Sequence, residues 1–372
     1  MNRNATWIFS LGLAGLLGGC GGNGDNAGDG SGAAVEFVDT VSGAGASFPV
    51  PVYDVWRYEW GQEHDVTVNY NSVGSGAGIR QITAKTVDFG ASDAPLKKEE
   101  LDEAGLVQWP MLVGAVVPVV NIEGVGSGEL KLTGPVLADI FLGNISNWSD
   151  EAITSLNPEL DLPDASINVV HRSDSSGTTW IFTSYLSKVS DAWANGPGWG
   201  KTPEWPTGIG APQNPGVANQ VSQNNNSIGY VQSDFAVEQN LPVALLQNQA
   251  GNYVEPTIPN IQSAAGNADW QNAPGMYVVL TNQPGADTWP IAGATYLLVH
   301  TEQESKAKIQ TILSWADWAL SEGGGLAEEK YFVPLPDNVV GIINDLWASE
   351  ITANGEPVWP IGATSGEDAA AY

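Results

Sequence analysis

Ile167-Asn-Val-Val-His-Arg-Ser-Asp-Ser-Ser-Gly-Thr-Thr-Trp-Ile-Phe-Thr-Ser-Tyr-Leu-Ser-Lys188 passes from an apolar, β-branched run, through hydroxyl and glycine residues, into an amphipathic stretch. Ile167–Val170 reads as a strand and Thr179–Lys188 as a helix, with the turn between them carrying the polar chemistry. The same unit recurs. Ser42–Phe48 separates a weakly alternating segment from a helical spacing of Val52, Val55, Trp56 and Trp60, introduced by Pro49 and Pro51. Asn71–Gly78 links an alternating Val66, Val68, Tyr70 to a short helix over 79–85, and Val87–Gly90 leads through Ala91–Pro95 to a helix over 97–104. Met111–Ile122 is an almost unbroken apolar run, as in a strand covered on both faces. Ala292–His300 reads as another strand and Glu304–Ser321 as an amphipathic helix. Strands alternating with helices imply an α/β fold with parallel sheets. The Pro-, Gly-, Trp- and Asn-rich segment Asn195–Asn226 reads as a long ordered loop.

The chain has 372 residues, beyond the usual size of one core, so two domains are expected. Its 13 Lys+Arg face 42 Asp+Glu, a formal net charge of −29. So acidic a surface opposes nucleic acid binding and suits a salty habitat, where screening relieves self-repulsion. One Cys excludes a disulfide framework and a cysteine metal site, and three scattered His without HExxH argue against a histidine one. No metal or cofactor is expected.

The first residues read as an address. Ile8–Gly19 is an apolar or small-residue run after Arg3, too short to span a bilayer. Leu17-Gly18-Gly19-Cys20 resembles a bacterial lipobox, with Cys20 the lipidated residue. The expected division is a lipoprotein signal peptide over 1–19 and a lipidated Cys with a Gly-rich tether over 20–34.

In an open α/β sheet, ligands sit beyond the carboxyl ends of strands, where following helices present unpaired N–H groups and positive dipole ends. Four such turns, centred on Ser47, Ser75, Asp93 and Ser176, point to a small oxyanion. Any one of them alone reads more readily as an ordinary capping turn; it is the four together, with Arg172 entering the last, that point to a shared anion site. Arg172 supplies forked donors, and Asp174 stands where it can hold the guanidinium. A carboxylate at Asp93 makes sense beside an anion only if the ligand brings a proton. Hydrogen phosphate does; sulfate does not.

Gly43-Ala44-Gly45-Ala46-Ser47-Phe48-Pro49, Val87-Asp88-Phe89-Gly90-Ala91-Ser92-Asp93-Ala94-Pro95 and Arg172-Ser173-Asp174-Ser175-Ser176-Gly177-Thr178 together resemble the phosphate-binding protein family of bacterial high-affinity phosphate ABC transporters. The likeness runs from about Val35 nearly to the C-terminus. It implies a type II periplasmic-binding-protein (Venus flytrap) fold, with two α/β lobes joined by two crossing segments: lobe one 35–112 plus 285–372, lobe two 113–284. It implies phosphate ligands Ser47, Phe48 (through its backbone N–H), Ser75, Asp93, Arg172, Ser176, Gly177 and Thr178, with Asp174 behind Arg172. Ser47 stands where the family often has Thr, which keeps the hydroxyl. The implied partners are inorganic phosphate and the permease subunits of an ABC importer. The membrane would be met through the lipid anchor only, and the protein would be a monomer outside the cytoplasm.

Two alternatives differ in class: another oxyanion such as arsenate on the same fold, or a phosphatase. Val73-Gly74-Ser75-Gly76-Ala77 lacks the GxSxG spacing of a nucleophile elbow, and Gly196–Thr202 is one residue short of a P-loop. The sequence is read as a non-enzyme.

Overall fold

The computed structural model describes residues 37–266 and 268–361. The signal peptide, Cys20 and the tether lie outside the described residues.

The fold is organised by β4 (Leu106–Asn121), sixteen residues long and buried at all but its last position. Its sequence, LVQWPMLVGAVVPVVN, has no polar face to turn to water, so both faces are covered and both edges paired. Along its first part, Leu106–Ala115, it runs antiparallel to β8 (Ala292–His300). From Val116 to Asn121 it runs antiparallel to β7 (Ser227–Gln232). Pro110 sits where the β8 register slips between Thr295 and Tyr296, a place where the missing N–H removes no regular ladder bond.

On the β8 side, β1 (Thr40–Gly45) pairs in parallel with β2 (Thr67–Ser72) and β3 (Phe89–Ser92), and β3 pairs antiparallel with β8. On the β7 side, β5 (Asn168–Arg172) pairs in parallel with β6 (Ile209–Ala211) and β7. The spatial order is β2-β1-β3-β8-β4-β7-β5-β6, with a short β9 (Phe332–Val333) also on β4. Each half thus holds three parallel strands, β2-β1-β3 and β7-β5-β6, while β8 is antiparallel to β3 and the shared β4 is antiparallel to both its neighbours. The expected all-parallel sheets are corrected to a mixed sheet: strand direction depends on where a distant segment inserts, and local periodicity does not encode that.

Helices α1 (Val50–His64), α2 (Ser75–Thr83), α3 (Gly177–Val189) and α4 (Gln213–Gln223) follow strands of the two halves. Two local expectations are revised. Helix α2 begins at Ser75, four residues before the apolar spacing suggested, because Gly78 lets it lie directly on β1: a Cβ there would meet Gly45 Cα at 2.5 Å and Ala44 O at 2.7 Å. The segment Asn195–Asn226 contains β6 and α4 as well as loop. Val217, Ala218 and Val221 give α4 a buried face, although Pro215 and Gly216 suggest a turn.

Candidate functional site

The turns that close β1, β3 and β5, together with the starts of α2 and α3, converge on one buried cluster. Ser47 (2% exposed), Ser75 (1%), Asp93 (2%), Arg172 (3%), Ser176 (0%) and Thr178 (1%) are all withdrawn from solvent. Phe48 follows Ser47 into α1 and is anchored by its ring, edge-on to Phe332 at 5.4 Å. Such a density of buried polar groups is costly unless each finds a partner.

Many of these partners come from the opposite half of the sheet. Gly177 N donates to Ser75 Oγ at 3.1 Å, and Gly76 N donates to Ser175 O at 3.0 Å. Glycine is required at 177, because a Cβ there would meet Asp93 Oδ2 at 2.6 Å and Ser75 Oγ closer still. Ser176 caps α3, its hydroxyl oxygen accepting from Thr179 N at 3.0 Å, which leaves its O–H free to donate. The segment around residue 200 backs this turn: Ser176 N donates to Lys201 O at 3.1 Å.

Arg172 is held from three sides. Its Nε and Nη2 form a two-pronged pair with Asp174, 2.8 Å to Oδ1 and 2.6 Å to Oδ2. Nη1 donates to Thr178 Oγ1 at 3.2 Å, and its backbone N donates to the Tyr230 hydroxyl at 3.1 Å. Tyr230 stacks on Phe182 at 4.2 Å, so the aromatic core fixes the base of the Arg172 side chain. Burial pushes Asp174 upward, yet the hydrogen bonds and charge of Arg172, with the Gln213 N–H at 2.9 Å, hold its carboxyl below the usual range. The guanidinium is a fixed cation with one edge turned to the cluster.

Asp93 is the opposite case. Burial pushes its carboxyl from 3.8 to about 7, against the Thr295 hydrogen bond, the charge of Arg172 and the Ser75 hydroxyl, which favour the ionised form. Thr295 Oγ1 donates to Oδ1 at 2.8 Å, while Ser75 Oγ lies 3.4 Å from Oδ2. A buried cation, several donors and one poised carboxyl acceptor suit a small tetrahedral anion carrying at least one proton.

Hydrogen bonds link Ser47, Ser75, Asp93, Arg172, Asp174, Gly177 and Thr178 into one cluster, with Ser176 and Phe48 next to it in the chain, and bring in further residues that sequence reasoning missed. Thr295 comes from β8, Tyr230 from β7, and Gln213 and Asn214 from the first turn of α4. Gln213 reaches the other half of the sheet, its Nε2 donating to Ser72 O at 2.7 Å. Gln213 also takes a left-handed backbone (φ 60°), which turns its N–H to Asp174. Among the described residues there is no cluster of His, Cys, Asp and Glu suited to a metal ion.

Known proteins resemble this chain in sequence and in fold. A profile described as the PBP superfamily domain matches residues 29–322. The phosphate-binding protein PstS of Pasteurella multocida is 46% identical over 323 residues, covering 87% of this chain and 94% of that protein. This chain belongs to the PstS family. The PstS of Xylella fastidiosa strain 9a5c is 47% identical over 310 residues, covering 83% of this chain and 85% of its own length. A high-affinity periplasmic phosphate-binding protein, PfluDING, solved with phosphate bound, superposes with a TM-score of 0.69 at 19% identity, covering 88% of this chain and 100% of that one. At that identity the likeness speaks for the fold, which is the type II periplasmic-binding-protein fold in this PstS family member as well.

Proposed function

We propose that this protein captures inorganic phosphate outside the cytoplasm and hands it to the permease of an ABC importer. The observation that carries the reading is the pairing, in one buried site, of a guanidinium locked by Asp174 with the buried carboxyl acceptor of Asp93. Phosphate near neutral pH offers what that pair needs: negative oxygens for Arg172 and the hydroxyls of Ser47, Ser75, Ser176 and Thr178, and a proton for Asp93. Sulfate offers only the first. Arsenate matches phosphate in protonation, and the same site accepts it by charge.

The cycle is binding without chemistry on the ligand. The exchange of partners on β4 at Ala115/Val116 supports a division into lobe one (35–112 plus 285–372) and lobe two (113–284) that open and close about their crossings. Ser47, Ser75 and Asp93 belong to the first lobe; Arg172, Asp174, Ser176, Gly177 and Thr178 belong to the second. Closure brings the two sets together, expels water and presents a surface for the permease. The curated relatives are named as binding proteins, which fits a non-enzyme. Lipidation at Cys20, a monomeric state and a tether to the outer face of a membrane complete the proposal. The acidic surface opposes long-range attraction of an anion, so short-range hydrogen bonds carry affinity.

Calorimetric titration of the exported chain with phosphate, arsenate and sulfate tests the reading. Phosphate should bind tightly and sulfate not measurably at pH 8; comparable binding of sulfate would overturn it.

A further inference from the structure

The first turn of α4 places a fully buried amide, Asn214, against two of the site's hydroxyls. Its backbone N and its Nδ2 both donate to Ser47 Oγ, at 3.2 and 3.1 Å. The same Nδ2 lies 3.2 Å from Thr178 Oγ1, and it has two hydrogens, enough to serve both. Gln232 N donates to Oδ1 at 3.1 Å, and this fixes which end of the amide is which: a flip would set NH2 against N–H.

A hydroxyl has one hydrogen to give and two lone pairs to receive. Ser47 Oγ receives two N–H groups, both from Asn214. Thr178 Oγ1 also receives two, from Asn214 Nδ2 and Arg172 Nη1. With both lone pairs engaged, the one hydrogen of each hydroxyl can only be donated, and the anion is the acceptor within reach. Ser75 Oγ likewise receives Asp93 N at 3.2 Å and Gly177 N at 3.1 Å, but its hydrogen has Asp93 Oδ2 at 3.4 Å as a second acceptor beside the anion. Asp93 is then left as the acceptor for the ligand's proton.

We propose that Asn214 is a positioning residue that makes the Ser47 and Thr178 hydroxyls obligate donors to the bound anion and, by bonding both at once, links the two halves of the sheet across the occupied site. The inference rests on the phosphate reading and deepens it: discrimination for a protonated oxyanion needs the hydroxyls barred from accepting, as well as an acid that accepts. Without Asn214 these hydroxyls regain lone pairs and rotate, and Asp93 is no longer the sole acceptor.

The experiment is a calorimetric and stopped-flow titration of the full exported chain with inorganic phosphate, using wild type, Asn214→Ala, Ser47→Ala and the double variant. Asn214→Ala should weaken binding tenfold to a hundredfold, chiefly through faster dissociation. In the Ser47→Ala background the same change should cost a clearly smaller factor, because one of the two hydroxyls it orients is gone. A loss below tenfold overturns the proposal, and so do factors that multiply in full, which is the behaviour of a merely structural residue. Should Asn214→Ala fail to fold, Asn214→Asp replaces it: that side chain keeps its shape and the Gln232 bond but takes the hydroxyl hydrogens for itself. It should lose at least a hundredfold, and a smaller loss overturns the idea. Wild type that fails to bind phosphate sinks the phosphate reading itself, whereas wild type that binds alongside an unimpaired Asn214→Ala sinks only this inference.

Discussion

Asp93→Asn replaces one carboxyl oxygen by NH2 at a position only 2% exposed. Oδ1 keeps its bond from Thr295, so the new NH2 takes the place of Oδ2, beside Ser75 and facing the anion. An acceptor for the ligand's proton becomes a donor. Phosphate loses a charge-assisted hydrogen bond, about 3 kcal/mol or roughly a hundredfold in affinity. Sulfate loses a buried repulsion of similar size. The two changes together remove a discrimination on the order of 10⁴-fold, the scale at which a mismatched buried polar group rejects a near-isostere. Competition titrations at pH 8 read the ratio directly. Wild-type selectivity should also fall as pH drops through about 7, where Asp93 takes up its own proton and can donate it to sulfate, while the Asn variant stays flat. The stability effect has a definite sign. An acid whose pKa is raised by folding, here from 3.8 to about 7, binds more protons folded than unfolded in that interval, so stability falls as pH rises through it. The full loss is at most about 4 kcal/mol. Ligand-free Asp93→Asn should therefore melt above wild type at pH 8, with the gap closing toward pH 4. An unchanged phosphate-to-sulfate ratio at pH 8 would refute the reasoning.

Other outcomes follow from the same geometry. Arg172→Ala strands the half-buried Asp174 and should cost roughly 2–5 kcal/mol of phosphate binding, measured by calorimetry; near-native affinity removes Arg172 from the site. Gly177→Ala drives a methyl into Ser75 and Asp93, so binding should fall at least a hundredfold while the ligand-free protein stays folded by circular dichroism. Despite the net charge of −29, raising salt from about 50 to 500 mM should change phosphate affinity less than threefold, because buried hydrogen bonds are screened far less than surface charges; a steep dependence would point to an exposed electrostatic site.

The turns were legible because their chemistry is local. Ser176 before Gly177, Ser75 after Gly74, and Asp93 at the end of an apolar run each declare a strand-to-helix junction within a few residues. Arg172 and Asp174 declare each other in the same way. What stayed hidden depends on distance along the chain. Thr295 meets Asp93 across 202 positions and Asn214 meets Ser47 across 167, separations over which no spacing rule operates. Helix α4 was further disguised by Gln213-Asn214-Pro215-Gly216, whose turn-forming residues outweigh the sparse Val217, Ala218 and Val221 stripe. The direction of β8 left no local trace either, since Ala292–Val299 is buried on both faces and its periodicity is the same whichever way it is inserted.

A crystal structure of the exported chain grown with phosphate tests the central claim most directly. The ion should lie within hydrogen-bond reach of Ser47, Ser75, Thr178 and Arg172, with one protonated oxygen against the Asp93 carboxyl. Phosphate bound elsewhere, or Asp93 turned away from it, would contradict the account.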